Sequence, residues 1–290
     1  MTKKENLLSI SKRTGFSIST VSRVLSGKGA QYRICQKTID LITEEAKRCN
    51  YTPDLIAKSL RTKHTNTIGL TVPSISNPFF AILSSIIINL FKDYGYNVLL
   101  ADSMENEQDE IMALQSFVSR KVDGIITVPV STSPSFHEKI SKIIPVVLID
   151  RYFVNTTLPY VCTDNYTGGI MATKLLLQKG YKNILAIQGV INSMPSKERA
   201  RGFYDTVTGN NIIWHIEGND FSVKNGYTQT KKALESKERP DAIFAFSNTI
   251  MLGALTAIKE KKLQIPKDIA IISFDNNNFL DYLDPPYYKD

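Results

Sequence analysis

The stretch GFSISTVSRVLSGKG, residues 15–29, reads as one short helix between two stops. Gly15 suits the left-handed residue that closes a preceding helix, and Ser17 is the side-chain type that caps the next one. From Ile18 to Leu25, Val21, Val24 and Leu25 fall on one apolar face at helical spacing. Ser26, Gly27 and Gly29 end the run. Upstream, Leu7, Leu8 and Ile10 supply the apolar positions of a first helix. Downstream, Ile39, Leu41, Ile42 and Ala46 supply those of a third, over residues 36–49. Two helices joined by a glycine-containing turn and braced by a third form a helix-turn-helix arrangement.

Charge points the same way. Residues 1–65 hold thirteen Lys and Arg against five Asp and Glu, a net of +8, while the whole chain of 290 residues carries +7. The rest of the chain is therefore close to neutral. A basic segment joined to a neutral body is the electrostatic footprint of a nucleic-acid-binding head. The predicted reading surface is the outward side of the second helix: Ser17, Ile18, Ser19, Thr20, Ser22 and Arg23. Arginine bonds guanine O6 and N7 in bidentate fashion in the major groove; serine and threonine more often bond phosphate.

Other classes are disfavoured. The N-terminus, MTKKENLLSISKRTG, lacks the apolar core of a secretory signal. The most apolar run, FFAILSSIIINLF, is broken by Ser84, Ser85 and Asn89 and is shorter than a membrane span of ~20 residues. Cys35, Cys49 and Cys162 are widely spaced and form no metal pattern with His64, His137 and His215, so they read as reduced, buried or inert thiols of a cytoplasmic protein. Glycine-rich phosphate loops are absent, and no nucleophile, histidine and acid stand together as an enzyme requires. Neither a metal nor a cofactor is expected.

From Thr67 onward, short apolar runs alternate with helix-length segments. Candidate strands are 67–72, 97–101, 123–128, 145–149, 160–163, 183–187, 212–216, 241–246 and 269–274. Continuous apolar strands separated by helices predict a parallel, doubly wound α/β sheet. The series divides near RYFVNTTL, residues 151–158, into two lobes, 67–150 and 151–290. Ligands in open α/β sheets bind beyond the carboxyl ends of the strands. Those positions hold Asn77, Phe79, Phe80, Asp150 and Arg151 in the first lobe. The second contributes Asp164, Arg199, Phe221, Ser247, Asn248 and Asp275. Aromatic faces beside carboxylates, amides and an arginine suit a sugar: planar polar groups for hydroxyls, a ring face for the C–H side.

The segment GFSISTVSRVLSGKG resembles the headpiece of the LacI/GalR family of bacterial transcriptional regulators. NYTPDLIAKSLRTKHTNTIGL, residues 50–70, resembles that family's hinge, and NPFF, RKVDGII, IPVVLIDR, TDNYTGG, ERARGF and DPP follow in family order. The resemblance implies a headpiece over 1–52, a hinge over 53–66 and a two-lobed core of the periplasmic-binding-protein type. It implies that the hinge orders on operator DNA and that Leu60, flanked by Lys58 and Arg61, wedges into the minor groove, unstacking a base step at a few kcal/mol. A hinge this short cannot hold a helix alone in water. Phe79 and Phe80 match the family's first-lobe wall; Arg199, Ser247, Asn248 and Asp275 match its effector contacts. The chain carries Ser247–Asn248 where many relatives have Asn-Asp, and the resemblance implies a further strand and helix after DPP, so that a chain ending at DPPYYKD is expected to be a C-terminally short member with an open sheet edge.

The expected function is a sequence-specific repressor that binds a palindromic operator as a homodimer, away from any membrane, under control of a small effector, expected to be a sugar. A purine-responsive or protein-responsive regulator, or a sugar-binding protein that does not touch DNA, are the alternatives.

Overall fold

The computed structural model describes residues 5–52, 59 and 62–275. The chain divides into two compact units, Met1–Thr65 and Asn66–Asp290. Lys58, Leu60 and Arg61 of the hinge lie outside the described residues, as do residues 276–290 with the DPPYYKD end.

The first unit packs α1 (Leu7–Thr14), α2 (Ile18–Leu25) and α3 (Gln36–Arg48), with a 3-10 turn at Ala30–Tyr32. Asn6 caps α1 by accepting from the Ser9 backbone, and Gly15 closes it in the left-handed region. Ser17 caps α2 by accepting from Thr20 N. Ile10, Val21, Val24, Ile42 and Ala46 are buried together, with Leu7, Phe16, Leu25, Ile34, Ile39 and Tyr51 packed against them. Leu8 and Leu41, expected in the apolar faces, are 48% and 44% exposed. Each sits one residue from a core position, and the ~100° step of a helix turns it towards solvent.

The second unit holds two wholly parallel sheets. The first has β1 (Thr67–Val72), β2 (Asn97–Asp102), β3 (Gly124–Thr127), β4 (Val146–Ile149) and β5 (Tyr160–Val161) in the order β2-β1-β3-β4-β5. Its helices are α4 (Pro78–Asp93), α5 (Glu107–Ser119) and α6 (Ser135–Ser141). The second sheet has β6 (Asn183–Ile187), β7 (Ile213–Glu217), β8 (Ala242–Ala245) and β9 (Ala270–Ser273) in the order β7-β6-β8-β9. Helices α7 (Asn165–Gln178), α8 (Met194–Val207), α9 (Val223–Leu234) and α10 (Asn248–Glu260) accompany it. Strand order reverses at β1 and at β6, as it does in doubly wound sheets.

Burial follows position in the sheet. The central strand β8 is buried at every residue, whereas β7 at the edge alternates, because only one of its faces meets the core. Strand β5 corrects the expected lobe boundary at residue 150. Its Tyr160 and Val161 pair with Leu148 and Ile149, so the chain leaves the first sheet only after Val161. Both β5 residues are exposed, so hydrophobic pattern carries no sign of the pairing.

All three cysteines are free thiols; Cys35 and Cys162 are exposed rather than buried. Among the described residues no helix is long and apolar enough to cross a membrane, and no group of His, Cys, Asp and Glu could hold a metal ion.

Candidate functional site

A cavity of about 280 Å³ opens between the two sheets of the second unit. It is lined by Asn77, Phe79, Phe80, Asp150 and Arg151 from the first sheet's side, and by Arg199, Phe221, Ser247, Asn248 and Asp275 from the second's. Each lies just past the carboxyl end of a strand or in the helix that follows. That is where a parallel sheet points its loops inward. Asp164 does not line it. Its carboxylate caps α7 instead, accepting from Thr167 N at 3.0 Å, and that bond holds its pKa below the ordinary value. An aspartate just before a helix satisfies an orphan N–H in preference to turning into a cleft.

The first wall is mostly apolar. Asn77 caps α4 by accepting from Phe79 N at 3.0 Å, which sets the helix start. Phe79 and Phe80 then meet edge to face, with centroids 5.1 Å apart. Phe80 is 4% exposed and belongs to the core as well as to the wall. The sequence reading missed Ile82, Leu83 and Ile86, which carry this apolar surface along α4. Their spacing of three and four residues is a helical stripe, a signal that would have revealed them.

The charged groups are tied down. Arg151 gives both arms of its guanidinium to Glu105, at 2.7 Å each, so its charge is already balanced. Arg199 is 4% exposed. It donates from Nε to Asn165 Oδ1 at 2.8 Å and from Nη1 to the Phe246 carbonyl, with its face 3.6 Å from the Phe274 ring centroid. Asp150 sits in the left-handed region at φ 64°. Burial pushes its carboxyl up to about 6, against the opposing pull of Arg151 and Arg199.

The second wall centres on Phe221. Its carbonyl accepts from Thr249 Oγ1 at 2.9 Å, and Thr249 shares a hydrogen bond of 2.9 Å with Ser247. The preceding loop is pinned by Asn225 Nδ2, which donates to Asp220 O at 2.6 Å and to Gln188 O at 3.0 Å. The ring lies flat on Gly189, where a Cβ would stand 2.2 Å from ring carbon Cε1. Asn248 Oδ1 accepts from Ser273 at 2.9 Å, leaving its amide N–H groups for the cavity. Gly189, Asn225 and Thr249 escaped the sequence reading because their roles depend on contacts across the fold.

In the first unit, Ser17, Ile18, Ser19 and Arg23 are exposed, and Thr20 and Ser22 are half-buried. Ser17 is partly occupied, because its hydroxyl lies 2.8 Å from that of Ser19 and 2.9 Å from that of Thr20. The Arg23 guanidinium lies over the ring of Tyr32, a residue the sequence reading did not single out.

The family model described as "Periplasmic binding proteins and sugar binding domain of LacI family" matches residues 65–283. The ribose operon repressor of Halalkalibacterium halodurans is 33% identical over 266 residues, covering 92% of this chain and 78% of that one. A periplasmic binding protein/LacI transcriptional regulator from Alkaliphilus metalliredigens, solved with D-xylulofuranose, is 30% identical with a TM-score of 0.67 and covers 76% of this chain and 82% of that one. The lac repressor dimer bound to operator and the anti-inducer ONPF has a TM-score of 0.87 at 21% identity, covering 98% of this chain and 86% of that one, a likeness of fold.

Proposed function

The chain belongs to the LacI family, and from that premise we propose that it is a cytoplasmic, sequence-specific transcriptional repressor. It binds a palindromic operator as a homodimer and responds to an uncharged sugar held in the cleft. Twofold symmetry of the protein calls for twofold symmetry of the site. In this reading the exposed side of α2 enters the major groove, and Leu60, with Lys58 and Arg61, supplies the minor-groove contact. Relatives named ribose operon repressor and a neighbour solved with D-xylulofuranose support the effector class.

One observation carries the choice of an uncharged sugar. The cavity's two arginines are already balanced: Arg151 by Glu105, and Arg199 by the nearby Asp150 and Asp275. A phosphate would meet two carboxylates without a cation to spare. Hydroxyl groups can donate to those carboxylates and accept from Arg199 and Asn248, while the C–H face rests on Phe221 and Phe79. Such a site also rejects analogues lacking a hydroxyl, since buried polar groups would be left unpaired.

The test has two parts on the full chain. Duplex DNA of random sequence is enriched by binding, and the enriched site is titrated with D-ribose, D-xylulose, ribose 5-phosphate and hypoxanthine present in turn. The reading expects a palindromic site whose affinity shifts with a free sugar and stays unchanged with the phosphate. A response to hypoxanthine alone would replace the sugar by a purine. An absence of any enriched sequence would remove the DNA-binding function.

Gly189 offers a second check. Gly189→Ala forces the Phe221 ring off its seat and towards the cavity, so sugar affinity is expected to fall at least about tenfold, an effect of about 1.4 kcal/mol. Affinity for the enriched DNA stays the same. Isothermal calorimetry reads the first and a gel-shift titration the second. Unchanged sugar binding would show that the ring moves away from the ligand.

A further inference from the structure

Arg23 of α2 lies with its guanidinium carbon 4.1 Å from the centroid of the Tyr32 ring. Tyr32 is not on α2. It ends the 3-10 turn that follows, and that turn is rooted in α2's last carbonyls: Gly27 N donates to Val24 O and Lys28 N to Arg23 O, at 2.9 Å each. Tyr32 N returns to Lys28 O and Gly29 O at 3.2 Å each, and Ile34 N donates to Gly29 O at 3.1 Å. Gly29 sits so close to α3 that a Cβ there would stand 2.8 Å from Ile39 Cδ1. The turn therefore has little room to slide, and the backbone of Arg23 and the ring of Tyr32 share one frame.

Two further facts bear on what the ring is for. Tyr32 is 49% exposed, so core packing does not account for its position. Among the described residues no carboxylate pairs with Arg23; the ion pairs of this unit join Arg13 and Arg48 to Glu5 and Glu45. The aromatic face is the arginine's partner.

We propose that Tyr32 is a positioning residue for base recognition: a platform that holds Arg23 in the orientation from which it reads a guanine in the operator. This rests on the DNA-binding function proposed above. Stacking occupies the flat face of a guanidinium and leaves its in-plane N–H groups at the edge, where guanine O6 and N7 accept them. An arginine held this way loses less rotamer freedom on docking than one that swings in solvent. The recognition surface thus extends from α2 into the turn Ala30–Tyr32.

The test uses the full-length chain and the enriched duplex from the random pool, with each base pair changed in turn. Tyr32→Phe keeps the ring and is expected to bind like the wild type. Tyr32→Leu is expected to weaken the enriched site by roughly 2–5-fold, the size of an exposed cation–π contact. The loss of discrimination is confined to the one base pair at which Arg23→Ala also loses its preference, and Arg23→Ala/Tyr32→Leu loses no more than Arg23→Ala. Tyr32→Gln repeats the test with a polar side chain should leucine perturb the turn, and circular dichroism melting reports on the fold of each variant. Wild-type discrimination in both Tyr32→Leu and Tyr32→Gln overturns the proposal, as does an equal weakening at all sequences. A wild type that enriches no sequence overturns the DNA-binding function itself, and the proposal with it.

Discussion

Replacing Glu110 by alanine is expected to destabilise the two-sheet unit by about 3–5 kcal/mol, the cost of breaking a buried, hydrogen-bonded charge. Glu110 and His137 are both fully buried, and their side chains meet at 3.0 Å. The carboxylate gathers donors from three places. Thr127 of β3 donates at 3.2 Å, and Ser131 of the following loop donates from its backbone at 3.0 Å and its hydroxyl at 2.5 Å. Val130 N adds a longer bond of 3.3 Å, and His137 Nε2 completes the set. A carboxylate can only accept, so that ring nitrogen is the one that carries the proton. Thr71 of β1 joins the chain by donating to Thr127 at 2.6 Å. Alanine strands these donors in a dry interior, where each unsatisfied group costs about 1–3 kcal/mol.

The same site sets a pH dependence. Burial pushes the Glu110 carboxyl up, but His137 and Ser131 outweigh it and hold the pKa below its ordinary value. A depressed acid stabilises the fold at every pH above its unfolded value of ~4.3, and the contribution is lost as pH falls through the folded value. Thermal melts from pH 7 down to pH 3 should therefore show a gap between wild type and Glu110→Ala on the order of 10 °C at neutral pH, narrowing in acid as the pH-linked part is lost. A gap of only a degree or two at pH 7 would mean that the cluster contributes little.

Asp150→Asn should act in the opposite direction on stability while removing the response to sugar. The carboxyl's rise from 3.8 to about 6 means that ionising it in the fold costs about 3 kcal/mol relative to the unfolded chain. Asparagine keeps the shape, carries no charge and tolerates the left-handed backbone at this position. The variant is expected to gain up to about 3 kcal/mol at pH 7.5. The folded state takes up its proton at higher pH than the unfolded state does, so the wild type recovers that difference as pH falls from 6 towards 4. The gap between the two proteins should then vanish near pH 4. In the same melts, whichever sugar shifts the wild type should shift the variant at least about tenfold less effectively, because its hydroxyl would meet an amide instead of a carboxylate. A variant less stable than the wild type at pH 7.5 would show that the charge is needed to hold Arg199 in place.

Much of this architecture is legible in the chain. Central strands such as β1, β6 and β8 are readable as apolar runs because buried parallel strands need both faces apolar, and helix α2 could be bounded at both ends because its cap and its glycines are local features. Most of the cavity wall followed from one rule about strand ends. Asp164 departed from that rule because a helix start nearby took its carboxylate. Strand β5 was misplaced because two exposed residues carry no pattern of their own, and their pairing with β4 is made by hydrogen bonds that side chains do not announce.

Left to itself, the amino-acid sequence determined the order of elements, the basic head, the parallel sheets and the set of strand ends that face a ligand, all of which follow from local spacing and side-chain type. Only the tertiary structure decided which polar groups are spent on the protein itself. Glu105 takes Arg151, Tyr32 takes Arg23, Glu110 takes His137 and Gly189 receives Phe221, and each partner is chosen by proximity between segments that lie apart in the chain. Periodicity records which face a residue turns inward; it holds no information about what stands opposite.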